Sequence, residues 1–124
     1  LQDNVIFTGY QPNVADYLNV MHVMIHASVL PEPFGRVLLE AMAMKKPVIG
    51  ARGGAVPEII VDGDTGLMFT PGDDAELAQE VAGLLEDSGR AKEMGENGYK
   101  RAGQDFGIKK NVQKTQQLYE RLFS

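Results

Sequence analysis

Short apolar runs alternate along the chain with stretches whose apolar residues recur at helical spacing. Val5-Ile6-Phe7 is a β-branched and aromatic run closed by Gly9, which predicts a strand. After Asn13, a good N-cap, Val14, Tyr17, Leu18 and Met21 share one helical face. Val23 to Ala27 predicts a second, apolar strand, and Pro31 and Pro33 interrupt the segment after it. Phe34 to Lys45 predicts a helix rich in Leu, Ala and Met, ended by Pro47, which a helix cannot absorb. Val48-Ile49 reads as a third strand, Gly53-Gly54 as a turn, and Val56 to Val61 as a brief helix opening near Pro57. Leu67-Met68-Phe69 is a fourth strand, after a turn bracketed by Gly63 and Gly66. Asp73 and Glu76 then form a capping-box pattern, and Leu77, Val81, Leu84 and Leu85 supply the buried stripe of the helix they open. Two more helices are expected, about Arg90 to Gln104 and Ile108 to Phe123. In the last, Ile108, Val112, Tyr119 and Leu122 lie on one face.

Strands that alternate with helices imply βαβ units and a parallel sheet covered on both faces. The expected fold is therefore α/β, with about four parallel strands, flanking helices and a helical C-terminal tail. No repeat or linker divides the 124 residues, so residues 1–124 are expected to form a single unit.

Composition narrows the function more than the fold. Lys and Arg number 12 against 17 Asp and Glu, giving a net charge of −5. Adjacent basic pairs such as Lys45-Lys46 and Lys109-Lys110 are scattered along the chain, which is not the clustered surface that nucleic acid requires. With no cysteine, disulfides and thiolate metal sites are excluded. His22 and His26 are four apart and would share a helix face as metal ligands, but their apolar surroundings read better as a strand. No apolar run is long enough for a membrane span and no signal peptide opens the chain, which makes the cytoplasm the default location. Peripheral attachment of a longer protein to a membrane is left open. The chain begins at Leu1 and enters a strand pattern almost at once, so it reads as part of something longer.

Open parallel sheets bind ligands beyond the carboxyl ends of their strands. The loop from Leu30 to Arg36 occupies such a position and carries a glycine where backbone can approach a ligand closely. The N–H groups of Gly35, Arg36 and Val37 form a helix N-terminus suited to an anion, although a plain strand-to-helix turn has the same shape. Glu40 lies in the most apolar helical stretch, where a lone buried carboxylate is costly unless partnered. Two readings stand. In one, Glu40 faces solvent beside Arg36, four residues earlier. In the other, favoured because the helix should be packed on two sides, it accepts from ligand hydroxyls such as a vicinal diol.

Glu32-Pro33-Phe34-Gly35-Arg36-Val37-Leu38-Leu39-Glu40-Ala41-Met42-Ala43 resembles the E-x7-E motif of family 4 retaining glycosyltransferases of the GT-B fold. Segments 47–51, 53–58 and 62–67 resemble the stretches next along the chain in that family, and the likeness spans roughly residues 4–86 in order and spacing. It implies a partial Rossmann-like sheet that binds a nucleotide sugar and takes part in hexose transfer, usually without a metal or other cofactor. Glu32 would meet hydroxyls of the donor sugar at the reacting end. Backbone N–H groups around Phe34, Gly35 and Arg36 would meet the sugar and diphosphate, and Glu40 the ribose 2′- and 3′-hydroxyls. Val37 would lie near the ribose, and Gly9, Tyr10 and Gln11 beside the base. Retention there is commonly explained by front-face attack, with the leaving diphosphate taking the acceptor's proton, so Glu32 would position the sugar and not act as a base.

The departures from that family are also informative. Its donor domain begins with two further βα units carrying an Arg and a Lys that neutralise the diphosphate, and an N-terminal domain binds the carbohydrate or other hydroxyl acceptor. Neither lies within these 124 residues, so the chain alone is expected to be a poor enzyme. The rival readings are a non-catalytic nucleotide-binding module and a dinucleotide-binding oxidoreductase. The second needs G-x-G-x-x-G after the first strand, which Gly50, Gly53 and Gly54 do not supply. In the strand order 3-2-1-4-5-6, the resemblance leaves Val23 to Ala27 with an open apolar edge. Either Val5 to Phe7 moves in to cover it or two copies associate, and a homodimer is expected.

Overall fold

The computed structural model describes residues 2–123. Its sheet has three parallel strands in the order β1 (Met24–His26), β2 (Val48–Ala51), β3 (Leu67–Phe69). Met24 pairs with Val48 and Ile49 with Leu67. Helices α1 (Val14–Val20), α2 (Arg36–Ala43), α3 (Val56–Ile59), α4 (Asp74–Glu86), α5 (Ser88–Asp105) and α6 (Ile108–Phe123) surround and follow it. Successive residues of β2 point to opposite faces, and both faces are covered. Val48 joins Leu38, Met42, Val56 and Ile59 in one core layer. Ile49 joins Phe69, Leu84 and Met94 in the other. This is why β2 and β3 read as unbroken apolar runs and not as alternating ones.

The expected fourth strand is absent. Val5, Ile6 and Phe7 carry no strand structure, and Phe7 is 95% exposed. A β-branched run becomes a strand only when a neighbour completes its hydrogen-bond ladder, and no described strand lies beside this one. Consequently Val5 to Phe7 does not close the sheet, and β1 pairs with β2 alone.

Helix α2 is shorter than its apolar pattern suggested. It ends at Ala43 in a Schellman arrangement, with Lys46 N–H donating to Ala41 O and Lys45 N–H to Met42 O. Lys45 takes the left-handed position usually given to glycine, at φ 60°. Helix α5 secures it. Lys45 Nζ lies 3.3 Å from Glu96 and 5.0 Å from the Tyr99 ring centre, and the Lys45 carbonyl rests against Gly95. A Cβ on Gly95 would stand 2.2 Å from that oxygen. Gly95→Ala is therefore expected to cost about 2 kcal/mol, because overpacking against backbone outweighs the roughly 1 kcal/mol gain in helix propensity. Urea unfolding checks this, and a neutral or stabilised variant would show that the two segments can part.

At the start of α4, Asp73 Oδ1 accepts from Glu76 N–H at 2.9 Å, the expected half of a capping box. Glu76 does not reach back to Asp73. Its carboxylate accepts from Thr70 N–H at 2.7 Å, tying the helix to the end of β3. Along the stripe of α4, Leu84 is 1% exposed while Leu85, expected to be buried, is 60% exposed. One helical position turns it past the sheet. Helix α6 is joined to α5 by Lys110 on Asp105 at 2.8 Å, which holds the Asp105 carboxyl below its usual range. The α6 face bearing Ile108, Val112, Tyr119 and Leu122 is exposed.

Candidate functional site

The chain leaves β1 at His26, runs through residues 27–35 and enters α2, so this loop lies at the carboxyl end of the sheet. Gly35 makes the turn into the helix at φ 68°, a left-handed conformation that favours glycine. Glu32 organises the loop. Its Oε1 accepts from Phe34 N–H at 3.0 Å and from Gly35 N–H at 2.9 Å, and its Oε2 lies 3.1 Å from His26 Nε2. The N–H bonds from Gly35 and then Phe34 hold the carboxyl below its usual value of 4.5, with burial opposing and His26 assisting. A depressed folded-state value stabilises the loop above the unfolded pKa, and that support is lost as pH falls through the folded value. The loop is thus expected to be fixed at neutral pH and to loosen only in acid.

A second loop braces the first. Beyond β2, Gly54 sits at φ 55° directly on the Glu32 backbone, and Ala55 N–H donates to Glu32 O at 2.7 Å. The next helix is capped from a distance: Arg101 of α5 donates to Ile59 O at 2.7 Å and to Glu58 O at 2.8 Å. These two carbonyls end α3, so Arg101 ties the bracing loop to the body of the domain.

Glu32, Phe34, Gly35, Arg36, Val37 and Glu40 are all brought together in this loop and the first turns of α2. Two expectations change in detail. The N–H groups of Phe34 and Gly35 are engaged by Glu32, which leaves those of Arg36, Val37 and Leu38 as the helix-terminal donors without an acceptor among the described residues. Glu40, moreover, is not a lone buried acid. It pairs with Arg36 Nε at 3.0 Å, and the two side chains are 37% and 88% exposed. Arg36 and Glu40 lie one turn apart on the face of α2 flanked by the half-buried Val37 and Leu39, away from the buried Leu38. An exposed pair of this kind is weak and readily exchanged for another partner.

Gly9 and Tyr10 are exposed and Gln11 half-buried in the segment ahead of α1, with Gln11 Nε2 donating to Thr8 O at 2.8 Å. No hydrogen bond or ion pair among the described residues links them to the Glu32 loop. His22 lies in the turn before β1, and His26 ends that strand, as the strand reading required. Among the described residues no group of three or more His, Cys, Asp or Glu is placed to share a metal ion. A cavity of about 400 Å³ between α2 and α5 is lined by residues such as Leu39, Ala43, Tyr99 and Phe106 and includes neither glutamate. Its walls are mainly apolar, with Lys100 and Gln104 as the long polar side chains, and carry no carboxylate, so the open face at the strand ends is the better chemical candidate.

Three contributors to this site escaped sequence reading: the His26 contact, the Gly54-Ala55 brace and the Arg101 cap. A polar residue at the carboxyl end of a strand, six positions before Glu32, was the available signal for the first.

The whole is an α/β domain built to present a carboxylate loop and a helix N-terminus beyond the ends of its strands. The chain belongs to the glycosyl transferases group 1, whose family pattern matches residues 1–101. It is 39% identical over 119 residues to N-acetyl-alpha-D-glucosaminyl L-malate synthase of Bacillus anthracis, covering 96% of this chain and 31% of that protein. Against alpha-maltose-1-phosphate synthase of Mycolicibacterium smegmatis the identity is 33%, covering 88% and 30%. Among solved structures, HepE of Anabaena in complex with UDP superposes with a TM-score of 0.88 at 34% identity, over 98% of this chain and 33% of that one. HepE has also been solved with UDP-glucose. The chain therefore spans about a third of the length of these relatives.

Proposed function

We propose that this chain is the nucleotide-sugar-binding part of a longer, family 4-type hexosyltransferase that retains configuration. The observation that carries the reading is the Glu32–Glu40 segment. It sets a helix N-terminus with unengaged N–H groups, those of Arg36 and Val37 among them, between two partly exposed carboxylates at the strand ends. UDP and UDP-glucose complexes of a similar structure support a nucleotide sugar as the ligand. The donor diphosphate meets the N–H groups of Arg36 and Val37, as anions do at helix N-termini. Glu40 exchanges its Arg36 contact for the ribose diol, Val37 lies near the ribose, and Gly9, Tyr10 and Gln11 approach the base. Glu32 holds sugar hydroxyls. A carboxylate kept ionised by two backbone N–H groups and His26 is a poor proton acceptor, so the leaving diphosphate takes the acceptor's proton. The acceptor, a carbohydrate or other hydroxyl compound, binds against a separate domain. Without that wall, and without cations facing the diphosphate, the 124-residue chain alone binds donor weakly and does not turn it over.

Glu40 provides the test. In the complete enzyme, Glu40→Ala is expected to weaken UDP binding by about 1–3 kcal/mol, the cost of unmade charged hydrogen bonds. Stability should move by less than about 0.5 kcal/mol, because the side chain is exposed. Calorimetry showing unchanged UDP affinity would remove Glu40 from the ribose.

The open edge of β1 adds a prediction for the 124-residue chain by itself. Ile25 is exposed and Val5 to Phe7 stays away, so two copies are expected to pair edge to edge and sediment as a dimer at tens of micromolar. A monomer at that concentration contradicts it.

A further inference from the structure

The oxygens of Glu32 are unequally restrained. Both backbone donors, Phe34 and Gly35, converge on Oε1, whereas among the described residues Oε2 is approached by His26 alone. Two bonds to one oxygen fix that atom but leave the carboxylate plane free to swing about it, because the terminal torsion of a glutamate is broad. Only a bond to the second oxygen fixes the plane. His26 is well placed to supply it. It ends β1 with its backbone held in register with Gly50, and its side chain is 15% exposed. The Nδ1 atom is buried and has no hydrogen-bond partner among the described residues. A carboxylate only accepts, so Nε2 must carry the proton, and an orphaned Nδ1 is less costly as a bare lone pair than as a buried N–H. The arrangement favours a proton on Nε2 and a fixed ring.

We propose that His26 is a positioning residue. By donating from Nε2 to Glu32 Oε2 it locks the carboxylate plane, so that the lone pair remaining on Oε2 is aimed at a hydroxyl of the donor sugar. The inference rests on the reading of Glu32 as a sugar contact and adds the residue that orients it. His26 touches no substrate. It acts through Glu32, in the way that partners behind a binding group fix its geometry.

The tautomer can be read without any ligand. Long-range proton–nitrogen NMR of the 124-residue chain above pH 8 is expected to show His26 protonated at Nε2. Predominant Nδ1 protonation would overturn the proposal, because Nε2 would then have no proton to donate. In the complete enzyme, with UDP-glucose as donor, His26→Leu is expected to lower kcat about ten- to a hundredfold, as for loss of one hydrogen bond to a charged group. Inhibition by UDP should stay within about threefold, since the nucleotide lies away from Glu32. His26→Gln, which returns an N–H donor near the Nε2 position, should recover most of the rate. A His26→Leu enzyme with normal kcat beside an impaired Glu32→Gln enzyme would overturn the proposal and leave the role of Glu32 standing. Equal damage in the Leu and Gln variants, with UDP inhibition weakened in step, would also overturn it, by showing a merely structural role. Normal kcat in Glu32→Gln itself would instead refute the sugar contact, and the tautomer would still report whether the His26 bond exists.

Discussion

Gly54→Ala is expected to destabilise the domain by about 3 kcal/mol and to lower kcat in the complete enzyme at least tenfold. Two costs combine. At φ 55° an alanine pays roughly 1–2 kcal/mol for the left-handed conformation. Its Cβ would also stand 2.2 Å from Glu32 O and 2.7 Å from Glu32 N, atoms of a backbone that cannot turn aside as a side chain can. Relief requires the two loops to separate, which breaks the bond from Ala55 N–H to Glu32 O and shifts the carboxylate away from the sugar. Gly72→Ala is the control. It has φ 83°, nothing lies within 4 Å of its Cβ, and it sits in the turn before α4, far from Glu32 in the chain. It should pay only the conformational cost and keep full turnover. Thermal unfolding and initial rates of the two variants separate strain from displacement. Equal behaviour would mean that the Gly54 loop does not brace Glu32.

Glu32→Gln is expected to reduce kcat about a hundredfold while leaving UDP affinity near normal. The amide keeps the shape of the acid, and its oxygen can still accept from Phe34 and Gly35. The other atom becomes an NH2 facing His26 Nε2, and with the proton on Nε2 as proposed above two donors would meet there. The side chain or the histidine must turn, and the acceptor aimed at the sugar is lost. UDP lacks the hexose to be transferred and should not register the change. Steady-state kinetics with UDP-glucose and competition by UDP provide both readings, and equal losses in the two would place Glu32 at the nucleotide.

The range of each interaction decided how much of it the sequence revealed. Helices α1 to α6 and strands β1 to β3 were predicted within a few residues, because each depends on local spacing: Asp73 and Glu76 for α4, the apolar run Leu67–Phe69 for β3. Val5 to Phe7 misled because strand propensity needs a partner, and the ladder it would join is not among the described strands. The Glu32–Glu40 segment was visible because its chemistry is contained in nine consecutive residues. For Glu40 the sequence leaves two readings, a pair with Arg36 in solvent and the favoured contact with ligand hydroxyls on a closely packed helix. A sequence does not show how much of that helix face stays open, and the fold shows the Arg36 pair. The braces on Glu32 come from 22 residues further on at Gly54, and their own anchor from Arg101, so only the folded chain brings them into contact. Lys45 in a glycine-like conformation belongs to the same class, because its stabilising partners lie on α5.

The most direct measurement is a crystal structure of the complete enzyme with UDP-glucose bound. The expected complex has the ribose hydroxyls on the Glu40 carboxylate and the diphosphate against the N–H groups of Arg36 and Val37. Glucose should lie beside Glu32 Oε2, with His26 still in place behind it. A nucleotide seated elsewhere, with Glu40 still paired to Arg36, would contradict the assignment of this segment as the donor site.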